Sequence, residues 1–363
     1  MYLKNLYMSR KINPYRVVLP KAWISKNKKN ILKLDWNEST IKPSPLVKSE
    51  ILKFLENEPF QWYPNLYNEE LYNLISDYTS QNIETIQLFS GVDSLHEVIS
   101  RTFLSEKDNV VIVGPTYDNF RACVEASKAN VFNFDLDEDF KIDFKLLDDC
   151  IENTKPKLLY IVNPNNPTGN SHDLKSIQEL LKKHLNTILV FDEAYYEFNK
   201  SSFDQDLREI PNLIICRTFS KAFGLASFRI GYSISNISIK NQLSDIRNPK
   251  SVSQLAQVAA IAALKDLDYT LKYIEEVNKS KKIIFEYFDK NKKFKVFNSD
   301  ANFLFIECNS ISLKKELITF LNNNNIFVRD FTHLKKLDNF FRITLGNSTQ
   351  MNYLITVLDK VLK

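Results

Sequence analysis

Lys221 sits in a setting that could turn an amine into a nucleophile. It belongs to the run Arg217-Thr218-Phe219-Ser220-Lys221, with hydroxyls at −1 and −3 and Arg229 at +8. A lysine amine attacks an aldehyde carbon only when uncharged, so it needs burial or cationic neighbours. The two hydroxyls and the guanidinium could clamp a phosphate beside it. Taken alone, a lysine in a loop reads as a solvent-facing residue, so the assignment depends on what other segments bring. One of these is Ser90-Gly91-Val92-Asp93-Ser94, which runs into a helical stretch over 95–103. A glycine-led turn into a helix start presents free N–H groups and the positive end of the dipole to an anion. The same spacing also opens many ordinary helices.

Composition narrows the chemistry. The 363 residues include only 6 glycines, where typical usage of ~7% would give about 25. Under such pressure a surviving glycine marks a place where positive φ or close backbone approach is required. Gly91, Gly114, Gly169, Gly224, Gly231 and Gly346 fall in five short segments, and these carry the chemical reading. The four cysteines and four histidines are dispersed, with no CxxC pair and no GxSxG elbow, so neither a metal site nor a histidine-based triad is expected. Free thiols suit a reducing cytoplasm. Lysine runs at 26–29 and 279–282 lack aromatic interleaving, and a net charge of +4 spread along the chain reads as solvated surface rather than a nucleic-acid footprint. No apolar stretch approaches ~18 residues, so no membrane span is expected. The first residues, MYLKNLYMSRKINPYR, lack an apolar core, so no signal peptide is expected.

The elements that must position these groups are legible in the middle of the chain. Apolar runs at 110–113, 158–162, 188–191 and 213–216 each end in a polar segment: Gly-Pro-Thr-Tyr, Asn-Pro-Asn-Asn-Pro-Thr-Gly, Asp-Glu-Ala-Tyr and Arg-Thr-Phe-Ser-Lys. Short, continuously apolar, β-branched runs are the mark of parallel strands buried on both faces. With helical patterns between them, such as 174–181, they predict a doubly wound α/β layout. Ligands in such sheets bind outside the carboxyl ends of the strands, so the polar segments should surround one crevice. After residue 245 long helices (255–290) and strands near 294–307 and 340–345 predict a second, α+β unit. The expected division is an arm and part of the small domain at 1–38, a large domain at 39–245 and a small domain at 246–363.

These segments together resemble the fold-type-I pyridoxal-phosphate (PLP) aminotransferases, and most closely the histidinol-phosphate aminotransferase branch. The resemblance is carried by Asn163-Pro164-Asn165-Asn166-Pro167-Thr168-Gly169, Asp192-Glu193-Ala194-Tyr195, Arg217 to Lys221, Arg229-Ile230-Gly231-Tyr232 and Phe341-Arg342-Ile343-Thr344-Leu345-Gly346. Weaker matches are Asn37-Glu38, Tyr63-Pro64, Gly114 to Tyr117, Ser299 to Phe303 and Val328-Arg329-Asp330, all in family order over nearly the whole chain.

The resemblance implies a large domain built on a mostly parallel seven-stranded sheet, plus a smaller α+β domain. It implies that Lys221 holds the cofactor as a Schiff base and shuttles a proton. Asp192 would pair with the pyridine nitrogen, keeping the ring an electron sink. Asn166 and Tyr195 would reach the phenolic oxygen, and Tyr117 would stack on the ring. Gly91, Val92, Asp93, Thr218, Ser220 and Arg229 would surround the phosphate. Tyr63 would reach that phosphate from a second subunit of a homodimer. Arg342 would hold an α-carboxylate with its bidentate fork, and Arg329, Tyr15 and Asn37 would lie on the substrate side.

Three places depart from the branch. Trp62 stands where an arginine is usual, no glutamate follows Asp93, and Ser227-Phe228 replaces Gly-Leu before Arg229. All three lie near the implied substrate mouth, so the acceptor need not be imidazole-acetol phosphate. The expected reaction is transfer of an amino group between L-glutamate and a small phosphorylated carbonyl compound. A decarboxylase of a phosphorylated amino acid on the same fold is the alternative. A non-catalytic binding module of this fold would be expected to lose Lys221 or Asp192, and both are present.

Overall fold

A computed structural model describes residues 21–25, 28, 30–203 and 206–362. Its twelve strands among those residues form two sheets. They are β1 (Leu32–Leu34), β2 (Ile86–Phe89), β3 (Asn109–Gly114), β4 (Asn130–Asp135), β5 (Leu158–Val162), β6 (Ile188–Asp192), β7 (Leu213–Thr218), β8 (Gly231–Ser235), β9 (Phe294–Val296), β10 (Phe303–Cys308), β11 (Ile326–Asp330) and β12 (Phe340–Thr344). The large sheet has seven strands in the order β2-β8-β7-β6-β5-β3-β4. Every pairing in it is parallel except those of β8, which runs against both β2 and β7.

The apolar runs alternate between two cores. Tyr160, Val162, Val190, Ile214 and Cys216 face the helices Gly91–Phe103, Asn119–Ala126 and Ile237–Ile246. Leu159, Ile161, Leu189, Phe191 and Ile215 face the opposite layer, with helices Phe144–Thr154 and Leu174–Lys183. Burial on both faces is why these strands read as unbroken hydrophobic runs in the sequence.

A second sheet, in the order β1-β11-β12-β10-β9, packs on helices Leu267–Asp289, Ile311–Asn323 and Ser348–Leu362. The short β1 pairs parallel to β11, so residues 32–34 belong to the small sheet although they precede the large one in sequence. Helix Gln254–Lys265 lies on the large unit although it follows residue 245, where the sequence reading divided the two. Its Ala256, Ala259, Ala260 and Ala263 enter the core of the seven-stranded sheet, and it packs on helices Pro45–Asn57 and Glu69–Thr79. The next helix, Leu267–Asp289, packs on the five-stranded sheet instead. An alanine-rich helix lets its neighbours approach closely all round, so its sequence announces a helix without naming its partner.

Candidate active site

A cleft of about 1400 Å³ opens at the carboxyl ends of β3, β5, β6 and β7 and is closed on its far side by the small unit. Lys221, Asp192, Tyr195, Asn166, Tyr117, Val92, Asp93, Thr218, Ser220, Arg229, Asn37, Arg329 and Arg342 all line it. Residues drawn from positions 37 to 342 therefore converge, as expected of strand ends in a doubly wound sheet.

One wall is built to hold an anion. Helix Gly91–Phe103 begins here, and its N-cap residue Ser90 makes no side-chain capping bond, so first-turn N–H groups stay available. Gly91 has φ +77°, and a Cβ there would stand 2.6 Å from Arg229 Nη2. The positive φ favours glycine here, and a Cβ would oblige the flexible end of Arg229 to move. Arg229 Nη2 in turn lies 3.0 Å from Asp93 Oδ2, and Nη1 donates to Ser220 Oγ at 3.4 Å. Ser220 N–H donates to Thr218 Oγ1 at 3.0 Å, and that hydroxyl donates to Ser220 Oγ at 2.9 Å. Tyr117 is tethered to the same corner, its hydroxyl donating to Asp93 Oδ1 at 2.9 Å.

Opposite this wall Lys221 Nζ donates to the carbonyl of Trp36 at 3.0 Å and lies 5.7 Å from the Tyr195 ring centre. Burial lowers its pKa from the ordinary 10.5 to about 8. Glu38 and Asp93 pull it upward, while the cations Arg342 and Lys33 push it down. An amine in this state supplies the uncharged form that reaction with a carbonyl needs.

Asp192 ends β6 and is almost fully buried. Its Oδ1 accepts from the Ala194 N–H at 3.1 Å, and its Oδ2 accepts from the Tyr160 hydroxyl at 2.9 Å. His96 Nε2 lies 3.2 Å from the same Oδ2. Neither Tyr160 nor His96 figures in the sequence reading of the site. His96 had a readable signal, since it stands three residues after Asp93 on one helix and so shares its face. Tyr160 was hidden inside an apolar run.

The small unit supplies the remaining groups. Arg342 Nη2 donates to the Asp35 carbonyl at 2.9 Å, and Nη1 donates to Asn166 Oδ1. Its guanidinium carbon lies 5.1 Å from the Phe303 ring centre. Arg329 stands directly opposite Arg342 in the β11–β12 pairing. Buried Asn37 (φ 56°) ties the units together: its Nδ2 donates to the Tyr195 hydroxyl at 3.0 Å, and its N–H donates to Thr344 Oγ1 at 3.0 Å.

Two expected residues stand apart. Tyr63 is 80% exposed on the outer surface, with Phe60, Trp62 and Tyr67 exposed around it and Lys250 Nζ 4.5 Å from its ring centre. It does not line the cleft of its own chain. Tyr15 lies outside the described residues.

The donors and acceptors suit PLP in kind. A helix start with two hydroxyls and an arginine fits a phosphate, a buried carboxylate fits a protonated ring nitrogen, and an amine of lowered pKa fits an aldehyde.

Comparison with known proteins agrees. Residues 29–358 match the family model described as aminotransferase class I and II. A dihydroxyacetone phosphate transaminase of Campylobacter jejuni is 42% identical over 98% of this chain and 96% of its own length. A histidinol-phosphate aminotransferase of Methanocaldococcus jannaschii is 30% identical over 97% of this chain and 96% of its own. The crystal structure of a histidinol-phosphate aminotransferase from Sinorhizobium meliloti in complex with pyridoxal-5'-phosphate superposes with a TM-score of 0.86 at 25% identity, covering 98% and 99% of the two chains.

Proposed function

The chain belongs to the class I and II aminotransferases, PLP-dependent enzymes of fold type I, and from that premise we propose the roles of its residues and its substrates. Bound PLP supplies an electron sink for the bond changes at the substrate's α-carbon. Lys221 would hold the cofactor's aldehyde carbon, and its amine is placed to take a proton from the substrate's α-carbon and return it. Asp192 holds the proton on the ring nitrogen. Asn166 and Tyr195 face the phenolic oxygen, and Tyr117 covers one ring face. The first turn at Gly91, Val92 and Asp93, with Thr218, Ser220 and Arg229, receives the phosphate. Arg342 grips the α-carboxylate of the amino donor, and Asn37, Arg329 and Tyr15 lie toward the acceptor.

The donor proposed is L-glutamate and the acceptor a small phosphorylated ketone. The second half of that proposal draws support from the 42% identical dihydroxyacetone phosphate transaminase and from the departures at Trp62, the position after Asp93, and Ser227-Phe228. The observation that carries the reading is the convergence in one cleft of a lysine of lowered pKa, a buried carboxylate and an anion cradle. Tyr63 is proposed to complete the phosphate site of a second subunit, which makes the active form a homodimer. Its exposure on an aromatic surface, away from its own cleft, supports this. No helix among the described residues is long and apolar enough to cross a membrane, and a cytoplasmic location belongs to the same proposal.

The test is an absorbance spectrum of the PLP-loaded protein before and after L-glutamate. A shift of the cofactor band with release of 2-oxoglutarate is expected, followed by recovery of the band with dihydroxyacetone phosphate or imidazole-acetol phosphate as acceptor. A band unmoved by glutamate, together with carbon dioxide release from a phosphorylated amino acid, would overturn transfer in favour of decarboxylation.

A further inference from the structure

We propose that His96 is a positioning residue for Asp192, held in the tautomer with its proton on Nε2 and keeping the Asp192 carboxylate aimed into the cleft. The proposal rests on the reading above that Asp192 meets the cofactor's ring nitrogen.

His96 is completely buried, boxed by the rings of Phe120, Tyr160 and Tyr117 at centroid distances of 5.2, 5.4 and 6.4 Å. A buried imidazole must place both nitrogens. Nδ1 lies 3.4 Å from the Asn119 side-chain nitrogen, which can only donate. Nδ1 is therefore the acceptor, and the proton resides on Nε2. That nitrogen has no well-aligned hydrogen-bond partner, and the polar atom beside it is Asp192 Oδ2 at 3.2 Å. The contact leaves Nε2 poised toward the carboxylate rather than committed elsewhere.

Oδ2 thus accepts one hydrogen bond, from the Tyr160 hydroxyl at 2.9 Å, and has the His96 Nε2 atom 3.2 Å away as a close neighbour that needs only a small reorientation to donate. The tyrosine stays protonated, because burial and the neighbouring Asp192 charge raise its pKa well above the ordinary value. The Tyr160 hydroxyl and the His96 ring beside Oδ2 restrict how the carboxylate can turn. They also fix the rotamer that presents the rest of the carboxylate to the ligand. His96 does not line the cleft itself, so it acts on the chemistry only through the placement of Asp192.

Helix Gly91–Phe103 gives the arrangement a second property. Its first turn forms the anion cradle, and His96, five residues on, reaches Asp192. One rigid element therefore sets the spacing between the phosphate end and the ring-nitrogen end of the site, and a displacement of the helix would misplace both.

The test uses PLP-loaded protein and three variants. His96→Phe keeps the ring volume without a donor, and His96→Gln can return an N–H near the Nε2 position. For His96→Phe we expect kcat to fall at least tenfold with KM for glutamate within about twofold. Its PLP dissociation constant should rise several-fold, and its thermal midpoint as apoprotein should stay near that of the parent. His96→Gln should recover most of both losses, which a mere packing role would not produce. In 15N-histidine-labelled protein, the His96 signals, assigned by their absence in His96→Gln, should show a neutral ring protonated on Nε2. A doubly protonated or Nδ1–H ring would overturn the proposal, as would wild-type kcat and affinity in His96→Phe. Asp192→Asn is measured alongside. A silent Asp192→Asn would sink the reading of the site itself, whereas a damaged Asp192→Asn beside a silent His96→Phe would remove only the role of His96.

Discussion

The lowered pKa of Lys221 can be measured without cofactor. With a value of about 8 in place of 10.5, about a quarter of Lys221 side chains are uncharged at pH 7.5, against about one in a thousand for an ordinary lysine. A reagent that acylates only neutral amines should therefore modify Lys221 of the apoprotein roughly two hundredfold faster than charge alone would allow an ordinary lysine. Mass spectrometry of labelled peptides across pH 6–11 reads this directly, with a short lysine-containing model peptide as the solvent reference. The labelling curve for Lys221 is expected to turn near pH 8. The sign of each neighbour is also open to test. Glu38 favours the ammonium form, so Glu38→Gln should move the midpoint further down. Arg342 disfavours that form, so Arg342→Gln should move it up. A Lys221 curve coincident with that of the model peptide, or a midpoint that rises in Glu38→Gln, would refute the electrostatic reasoning.

Two further outcomes are expected. Gly91→Ala puts a methyl where Arg229 Nη2 lies 2.6 Å away, on a residue of φ +77°. The strained backbone alone costs about 1–2 kcal/mol, so PLP affinity by equilibrium titration should weaken about tenfold, and an unchanged dissociation constant would show that the close packing is dispensable. If Tyr63 serves the neighbouring subunit, a hybrid of a Tyr63→Phe chain and a Lys221→Ala chain contains one intact site, and half of its sites should bind PLP and turn over as in the parent. Hybrids no better than the Tyr63→Phe homodimer would place the tyrosine in its own site or in none.

The convergence of the candidate site was readable where local chemistry and strand physics coincide. Asp192 and the Thr218–Lys221 segment follow continuous apolar runs, and such runs in an α/β pattern are buried strands whose carboxyl ends face ligands. The glycine shortage helped for a related reason, since Gly91 persists where the backbone and Arg229 demand it. The partners of Asp192 were not readable in the same way. Tyr160 reaches it across a strand pairing in which Val162 is the residue opposite Asp192, and a pairing register is written in no single segment. The meeting of Arg342 with Asn166 likewise depends on how the small unit docks on the large one. Helix Gln254–Lys265 shows the same limit at the scale of a domain, because its alanines fit either unit until packing decides.

The pairing of Arg329 with Arg342 has a practical side. Two like charges directly opposite on neighbouring strands repel, and among the described residues the Arg329 guanidinium makes no hydrogen bond or ion pair that would relieve it. Any small dianion entering the cleft lowers that repulsion, whether or not it is a substrate. Inorganic phosphate and sulfate would then behave as competitors and as thermal stabilisers, and constants measured in phosphate buffer would describe an enzyme already inhibited. Assays in a zwitterionic buffer of fixed chloride content avoid this, and phosphate or sulfate used as a crystallisation additive would settle between these two arginines.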